Sequence, residues 1–176
     1  MTWKHPSSPP AKKFKLQQSS KKIMATVFWD SQGIILIDFL PRGETINAVR
    51  HCQKLNKLRE AIRRKRPGRL TEGVILQHDN ATPHTANITK DWLHKYGWEV
   101  LTHPPHSPDL APCDYHLFGR LKRHLAGKRF DADEDLIQDV RTWLQNLDVN
   151  FCREGIYSLM HRWQKCIDRN GDYVEK

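Results

Sequence analysis

The 176 residues carry 38% apolar side chains, enough for one domain with a core and too few for two of ordinary size. No run approaches the roughly eighteen uninterrupted apolar residues of a membrane span. The N-terminus has lysines and prolines where a secretory leader needs an apolar stretch, so a soluble intracellular protein with no membrane partner is expected. The net charge of +9 is unevenly placed: residues 1–22 hold six lysines and no acid, and residues 50–69 hold nine Lys/Arg against Glu60 alone. Such local basicity suits a polyanion, because each neutralised phosphate releases condensed counterions; a solvated tail and helix face is the plainer alternative.

Residues 1–22 combine lysine, proline and serine with few apolar side chains and read as a basic flexible arm, with residues 23–176 as the folded domain. Two β-prone runs, Met24 to Trp29 and Ile34 to Leu40, flank the turn-type cluster Asp30-Ser31-Gln32-Gly33 and predict a hairpin. Between Thr45 and Arg66, Val49, Cys52, Leu55, Leu58 and Ile62 recur at helical spacing, with basic side chains largely on the other face and Pro67-Gly68 as the stop. Val74-Ile75-Leu76 predicts a buried strand running into His78-Asp79-Asn80. Thr82-Pro83 has the form of a cap and first helical position for a helix reaching about Tyr96. Trp98 to Leu101 is a further short strand, followed by the proline-broken loop His103 to Pro108.

Pro112 suits the first turn of a helix whose stripe is Leu117, Phe118, Leu121 and Leu125. Asp131 to Glu134 has the form of a capping box ahead of Leu136, Val140, Trp143 and Leu147. A last helix carries Ile156, Leu159, Trp163 and Ile167 on one face. The order of elements predicts an α/β fold around a mixed sheet flanked by helices. The cysteines Cys52, Cys113, Cys152 and Cys166 form no C-x-x-C pair and are expected as free, mostly buried thiols. A zinc site from Cys152, His161 and Cys166 lacks a third ligand type at proper spacing.

Two acids stand out. Asp79 ends a strand, where open α/β sheets gather ligands and where turns also begin. Asp114 is three, four and seven residues ahead of Leu117, Phe118 and Leu121, which places its carboxylate on the core stripe. A carboxylate there needs a cation, the free N–H groups of the helix start, or a proton. It is either an N-terminal acid of the helix or a metal ligand facing a second acid across the sheet.

The strings HDNATPHTA (78–86), HPPHSPDLAPCDYHLF (103–118), GKRF (127–130) and RWQKCIDRNGDYVE (162–175) resemble mariner-type transposases of the Tc-mariner superfamily, with thirty-four residues between Asp79 and Asp114. The resemblance spans essentially the whole chain. It implies a ribonuclease-H-like domain of the DDE superfamily whose three acids bind two Mg²⁺ or Mn²⁺ ions for in-line attack on a DNA phosphodiester. Asp79 and Asp114 match the second and third acids, as catalytic and metal-binding residues, and Asn80, Pro83 and His84 match the segment shaping the site. The first acid, on the opening strand, has no match: residues 1–22 hold neither Asp nor Glu, and Asp30 fits a turn better. The family's N-terminal helix-turn-helix region has no match either.

The resemblance puts that first strand centrally, between the hairpin and the strand ending in Asp79. Without it the neighbouring strands have unpaired edges and stability is marginal, unless they pair directly or a second chain fills the gap. The expectation is therefore a DNA-binding catalytic-domain remnant, incomplete for cleavage, with one weakly held Mg or Mn ion. Its DNA contacts would come from Lys12, Lys13, Lys15, Arg63, Arg64, Lys65 and Arg66, the last four also fitting a nuclear-localisation pattern. A homodimer is expected from the resemblance. The alternative is a non-enzymatic nucleic-acid-binding or domesticated transposon-derived module.

Overall fold

The computed structural model describes residues 23–175; the arm of residues 1–22, with Lys12, Lys13 and Lys15, lies outside the described residues. Strands β1 (Met24–Asp30) and β2 (Gly33–Leu40) form the expected antiparallel hairpin, with a bulge between Phe28 and Trp29. The reversal is tight because Asp30 Oδ1 accepts the Gln32 N–H at 2.9 Å and Gly33 adopts φ 124°. One set of hairpin side chains, including Phe28 and Ile35, packs on helix α1 (Ala48–Lys65). A second set, including Val27, Trp29 and Phe39, packs on the C-terminal helices.

Helix α1 starts where Asn47 accepts the Arg50 N–H at 2.9 Å, and it buries Cys52, Leu55, Leu58 and Ile62. Val49 was expected on that stripe and is 56% exposed. Each step of three residues falls about 60° short of a full turn, which carries Val49 off the line through Leu58. A single turn, α2 (Arg69–Glu72), follows Gly68. The basic side chains of α1 are not all outward: Lys54 is 2% exposed, its ammonium held by Asp38 at 2.6 Å and Thr26 Oγ1 at 3.0 Å.

Strand β3 (Ile75–Gln77) and strand β4 (Glu99–Leu101) pair in parallel, Ile75 beside Glu99 and Gln77 beside Leu101. The crossover between them holds α3 (Thr82–Thr85) and α4 (Asn87–Tyr96), where one continuous helix was expected. The chain is extended at Ala86, ψ 145°, and the buried Thr89 hydroxyl donates at 2.7 Å to the Pro83 carbonyl that an unbroken helix would offer to a backbone N–H. Thr82 caps nothing; the turn begins a residue earlier, at Ala81. Gly97, at φ 65°, closes α4 and delivers the buried Trp98 to the α1 core.

Among the described residues the four strands form two two-stranded sheets, where one mixed sheet was expected. Residues of β1 and β3 line a common cavity of about 270 Å³, with Phe28, Trp29, Ile35, Ile62, Val74 and Ile75 among its walls. Ile75 was expected to be buried and is 65% exposed, because nothing among the described residues covers β3 on that side.

A 3₁₀ turn (Pro108–Leu110) and a π-helical turn (Cys113–Phe118) lead into α5 (Gly119–Leu125), α6 (Asp133–Gln145) and α7 (Val149–Asp168). The expected capping box of α6 is not formed: no side chain caps it, and Asp133 pairs instead with Arg42. Helix α6 buries Val140 and Leu144. Helix α7 packs through Leu159, Trp163 and Cys166, so Ile167, expected on that face, is 70% exposed. All four cysteines are free, Cys52 and Cys152 buried and the others half-buried. Among the described residues no helix is long and apolar enough to cross a membrane.

Candidate active site

Asp79 follows the C-terminal end of β3, and the segment around it is tied down by its neighbours. Gln77 Nε2 donates to the Leu110 carbonyl at 2.9 Å, and Asn80 Nδ2 donates to the His103 carbonyl at 2.8 Å. Asp79 Oδ1 accepts two hydrogen bonds, from the Ala81 N–H at 3.1 Å and from His84 Nδ1 at 2.6 Å. Burial pushes the Asp79 carboxyl upward, but the Ala81 N–H and the adjacent imidazole outweigh it and hold the group below its ordinary value.

Asp114 comes from the π-helical turn, and this overturns the expectation that it shares the core face with Leu117. Leu117 is fully buried, whereas Asp114 is exposed. A π turn takes more residues per revolution than an α-helix, so counting by three and four misplaces its side chains. The residues around Asp114 are all pinned. Trp29 Nε1 donates to Cys113 Sγ at 3.2 Å, Tyr115 Oη donates to the Gly155 carbonyl at 2.6 Å, and His116 Nε2 donates to the Phe151 carbonyl at 2.8 Å. Gly155 makes the close approach of α7 possible, since a Cβ there would lie 2.5 Å from the His116 ring and 2.7 Å from that of Trp29.

Asp79 and Asp114 line one open cleft of about 550 Å³, walled on the other side by His103 to Pro108. The C-terminal tail holds that wall: Tyr173 Oη donates to the His106 carbonyl at 2.9 Å, and the Val174 N–H donates to the buried Asp109 at 2.8 Å. Among the described residues the Asp114 carboxylate has no hydrogen-bond or ion-pair partner. Burial, and then the negative charge of Asp79, push its carboxyl upward, with partial relief from Lys122 and His103. Two carboxylates on one cleft, with no Lys or Arg among the described residues that line it, form a donor pair that suits a hard divalent ion. No group of three or more His, Cys, Asp or Glu among the described residues could hold a metal.

Three imidazoles stand behind Asp79. His84 lies against His51 (ring centroids 4.3 Å apart) and against His78 (5.0 Å). Burial, with the neighbouring rings, lowers His51 to about 3 and His78 to about 4, so both are neutral at ordinary pH. His51 is not among the residues expected at the site. Its signal was available, since it lies four and seven residues before Leu55 and Leu58 and therefore on the buried face.

The basic residues proposed for nucleic acid divide. Arg66 is half-buried and forks onto Asp30 at 2.8 and 2.9 Å, a bond between α1 and the hairpin turn. Lys65 reaches the Ile34 carbonyl at 3.2 Å, and Arg63 pairs with Glu60 at 2.8 Å. Arg64 is exposed and, among the described residues, has no hydrogen-bond or ion-pair partner.

Comparison with known proteins gives these features a context. A family described as "Transposase (partial DDE domain)" matches residues 1–72. The mariner Mos1 transposase of Drosophila mauritiana is 41% identical over 172 residues, 97% of this chain and 50% of that protein. The human histone-lysine N-methyltransferase SETMAR is 40% identical over 156 residues, 88% of this chain and 23% of that protein. The chain thus spans half of Mos1 and less than a quarter of SETMAR. The Mos1 catalytic domain solved with raltegravir and Mn superposes with a TM-score of 0.84 at 44% identity, covering 88% of this chain and 78% of that one. A Mos1 paired-end complex with the left transposon end gives 0.84 at 40% identity, covering 99% and 51%. The α/β fold, the spacing of the two acids and these matches lead to one conclusion: the chain belongs to the mariner transposase family and corresponds to its catalytic domain.

Proposed function

We propose that this chain is the DNA-processing core of a mariner-type transposase, in which Asp79 and Asp114 hold a Mg²⁺ or Mn²⁺ ion over a DNA phosphodiester. The observation that carries this reading is the pair of acids on one open cleft that, among the described residues, no Lys or Arg lines. A divalent ion bound there would polarise a phosphoryl oxygen and activate water or a 3′-hydroxyl for in-line attack. The chain's own part is positional. The Ala81 N–H and His84 keep Asp79 ionised and fixed, and the pinned π turn presents Asp114. Arg64, Arg63 and the lysines of the arm are the groups proposed to meet phosphates, in the nucleus and in a self-associated protein.

The cavity between β1 and β3 is the place we assign to the first strand of a ribonuclease-H-like sheet, with the third acid on it. Residues 23–175 put two acids on the cleft, so the two-ion clamp is incomplete and metal binding weak. The expected result for the 176-residue polypeptide is Mn²⁺ binding that is lost in Asp79→Ala and Asp114→Ala, without robust nicking of transposon-end DNA in Mg²⁺ or Mn²⁺. Robust nicking would refute the incompleteness, and metal binding indifferent to both substitutions would remove the reading. That the described residues place two acids on the cleft, and not three, favours a second reading, a non-enzymatic DNA-binding module. Salt-dependent DNA binding in an Asp79→Ala/Asp114→Ala variant, with no metal bound by the parent, would support it.

A further inference from the structure

The two oxygens of Asp79 are in different situations. Oδ1 takes both of the carboxylate's hydrogen bonds, from the Ala81 N–H and from His84 Nδ1. Oδ2 takes neither of these. His84 Nδ1 also lies 3.3 Å from the Asp79 carbonyl oxygen. Both of its neighbours are pure acceptors, so Nδ1 carries the proton whether the ring is neutral or charged. The ring itself cannot swing away easily. It sits on the one-turn helix α3, just after Pro83, and lies against His51, which is 3% exposed on α1.

His51 is an odd occupant of that face. Its Nε2 is buried without a partner, a liability that an apolar side chain would avoid. What it supplies is a flat ring at 4.3 Å from His84, in a stripe otherwise made of Cys52, Leu55 and Leu58. The order of contact runs from the α1 core to His51, then His84, then Asp79 Oδ1.

We infer that His84 is a positioning residue for the metal-binding carboxylate: its Nδ1–H fixes Asp79 Oδ1 and so leaves Oδ2 as the oxygen offered to a cation, with His51 as the backstop of the ring. This rests on the reading that Asp79 and Asp114 together bind a divalent ion. It assigns to His84 a hydrogen bond to a ligand, and not a contact with the ion. Groups that orient metal ligands in this way typically change affinity by about 10- to 100-fold when removed.

The test is a Mn²⁺ titration of the 176-residue chain followed by paramagnetic broadening of backbone amide signals in NMR, which registers weak binding without catalysis. In the parent, the Ala81 and Tyr115 amides should broaden together, and Asp79→Asn and Asp114→Asn should each abolish the effect. His84→Phe should move the midpoint to about tenfold higher Mn²⁺ or beyond. Asn places an N–H close to where Nδ1 stands, whereas Gln extends past it, so His84→Asn should return the parent midpoint and His84→Gln should not. That polar pair decides the matter if the Phe variant fails to fold. His51→Phe keeps the flat face and should behave as the parent.

A parent midpoint in His84→Phe, or an Asn variant as weak as the Gln variant, would overturn the positioning role while leaving the two-acid site intact. A parent that shows no local broadening, or broadening unaffected by the Asp79 and Asp114 variants, would overturn the metal site and this inference with it.

Discussion

The seam between the hairpin and α1 and the cleft beyond β3 treat their acids in opposite ways. At the seam every carboxylate has its cation. Asp30 is forked by Arg66, and Asp38 is met by Lys54 at 2.6 Å and Lys57 at 2.7 Å. At the cleft, Asp79 is held by an N–H and an imidazole, and Asp114 by nothing of opposite charge within bonding range. Burial opposes the ionisation of Asp38 as it does that of Asp114, yet the two lysines win at Asp38 and hold its carboxyl low, while Asp79 adds to the upward push on Asp114. A chain with nine more positive than negative side chains has cations to spare. Among the described residues none of these cations bonds to Asp114.

The sharpest way to break this comparison is to remove one acid from each region and measure stability by denaturant unfolding. Asp38→Ala strands the buried Lys54 ammonium and should cost about 3 kcal/mol, as loss of one partner of a buried pair does. Asp114→Asn removes a repulsion and should leave stability unchanged or slightly raised. Equal losses in the two variants would mean that the cleft acid is structural after all.

The seam and the cleft also differ in how far the sequence revealed them. The hairpin was legible because its strands alternate around a four-residue turn cluster, and α1 because its apolar period is helical and Pro67-Gly68 stops it. The pairing of Lys54 with Asp38 was not, since a lysine between Cys52 and Leu55 looks like part of the basic face. The two acids of the cleft were legible by their setting and spacing. The geometry of one was not: a π turn has no apolar period of its own, so Asp114 was counted onto the wrong face. The break at Ala86 was hidden as well, because Thr82-Pro83 has every mark of a helix start and a side-chain bond from Thr89 to the Pro83 carbonyl leaves no trace in the apolar pattern.

Acidification should separate the regions next. His51 and His78 are held near 3 and 4, below the ordinary 6.5, so the unfolded chain takes up protons first as pH falls. Their contribution is intact above about pH 6.5 and is lost progressively as pH falls, toward about 4 for His78 and about 3 for His51. Asp38, with its lowered folded value, contributes stability above its unfolded value that is lost as pH falls through the folded one. Asp114 has the opposite sign: its penalty is complete above its raised folded value and is relieved on acidification. His51→Phe should therefore flatten the loss of stability between pH 6.5 and 4, as followed by urea unfolding at each pH; an unchanged slope would contradict burial of a neutral ring.

The smallest effect should come from the arginines. Arg64→Ala should weaken DNA binding and reduce the salt dependence by about one unit of slope, with no change in melting. Arg66→Ala should lower melting, because its guanidinium is committed to Asp30. Reversed behaviour of the two would show that the fork to Asp30 is not maintained in solution.

The π turn makes Asp114 sensitive to length in a way no ordinary helical residue is. A π turn amounts to a helix with one residue more than its hydrogen bonding needs, and this one is anchored to α7 from within, through Tyr115 and His116. Excising a single residue between Asp114 and α5 would let the segment rewind to the common pitch and would turn the carboxylate about 100° around the axis. Every composition and charge would be nearly the same, and the acid would point away from its partner.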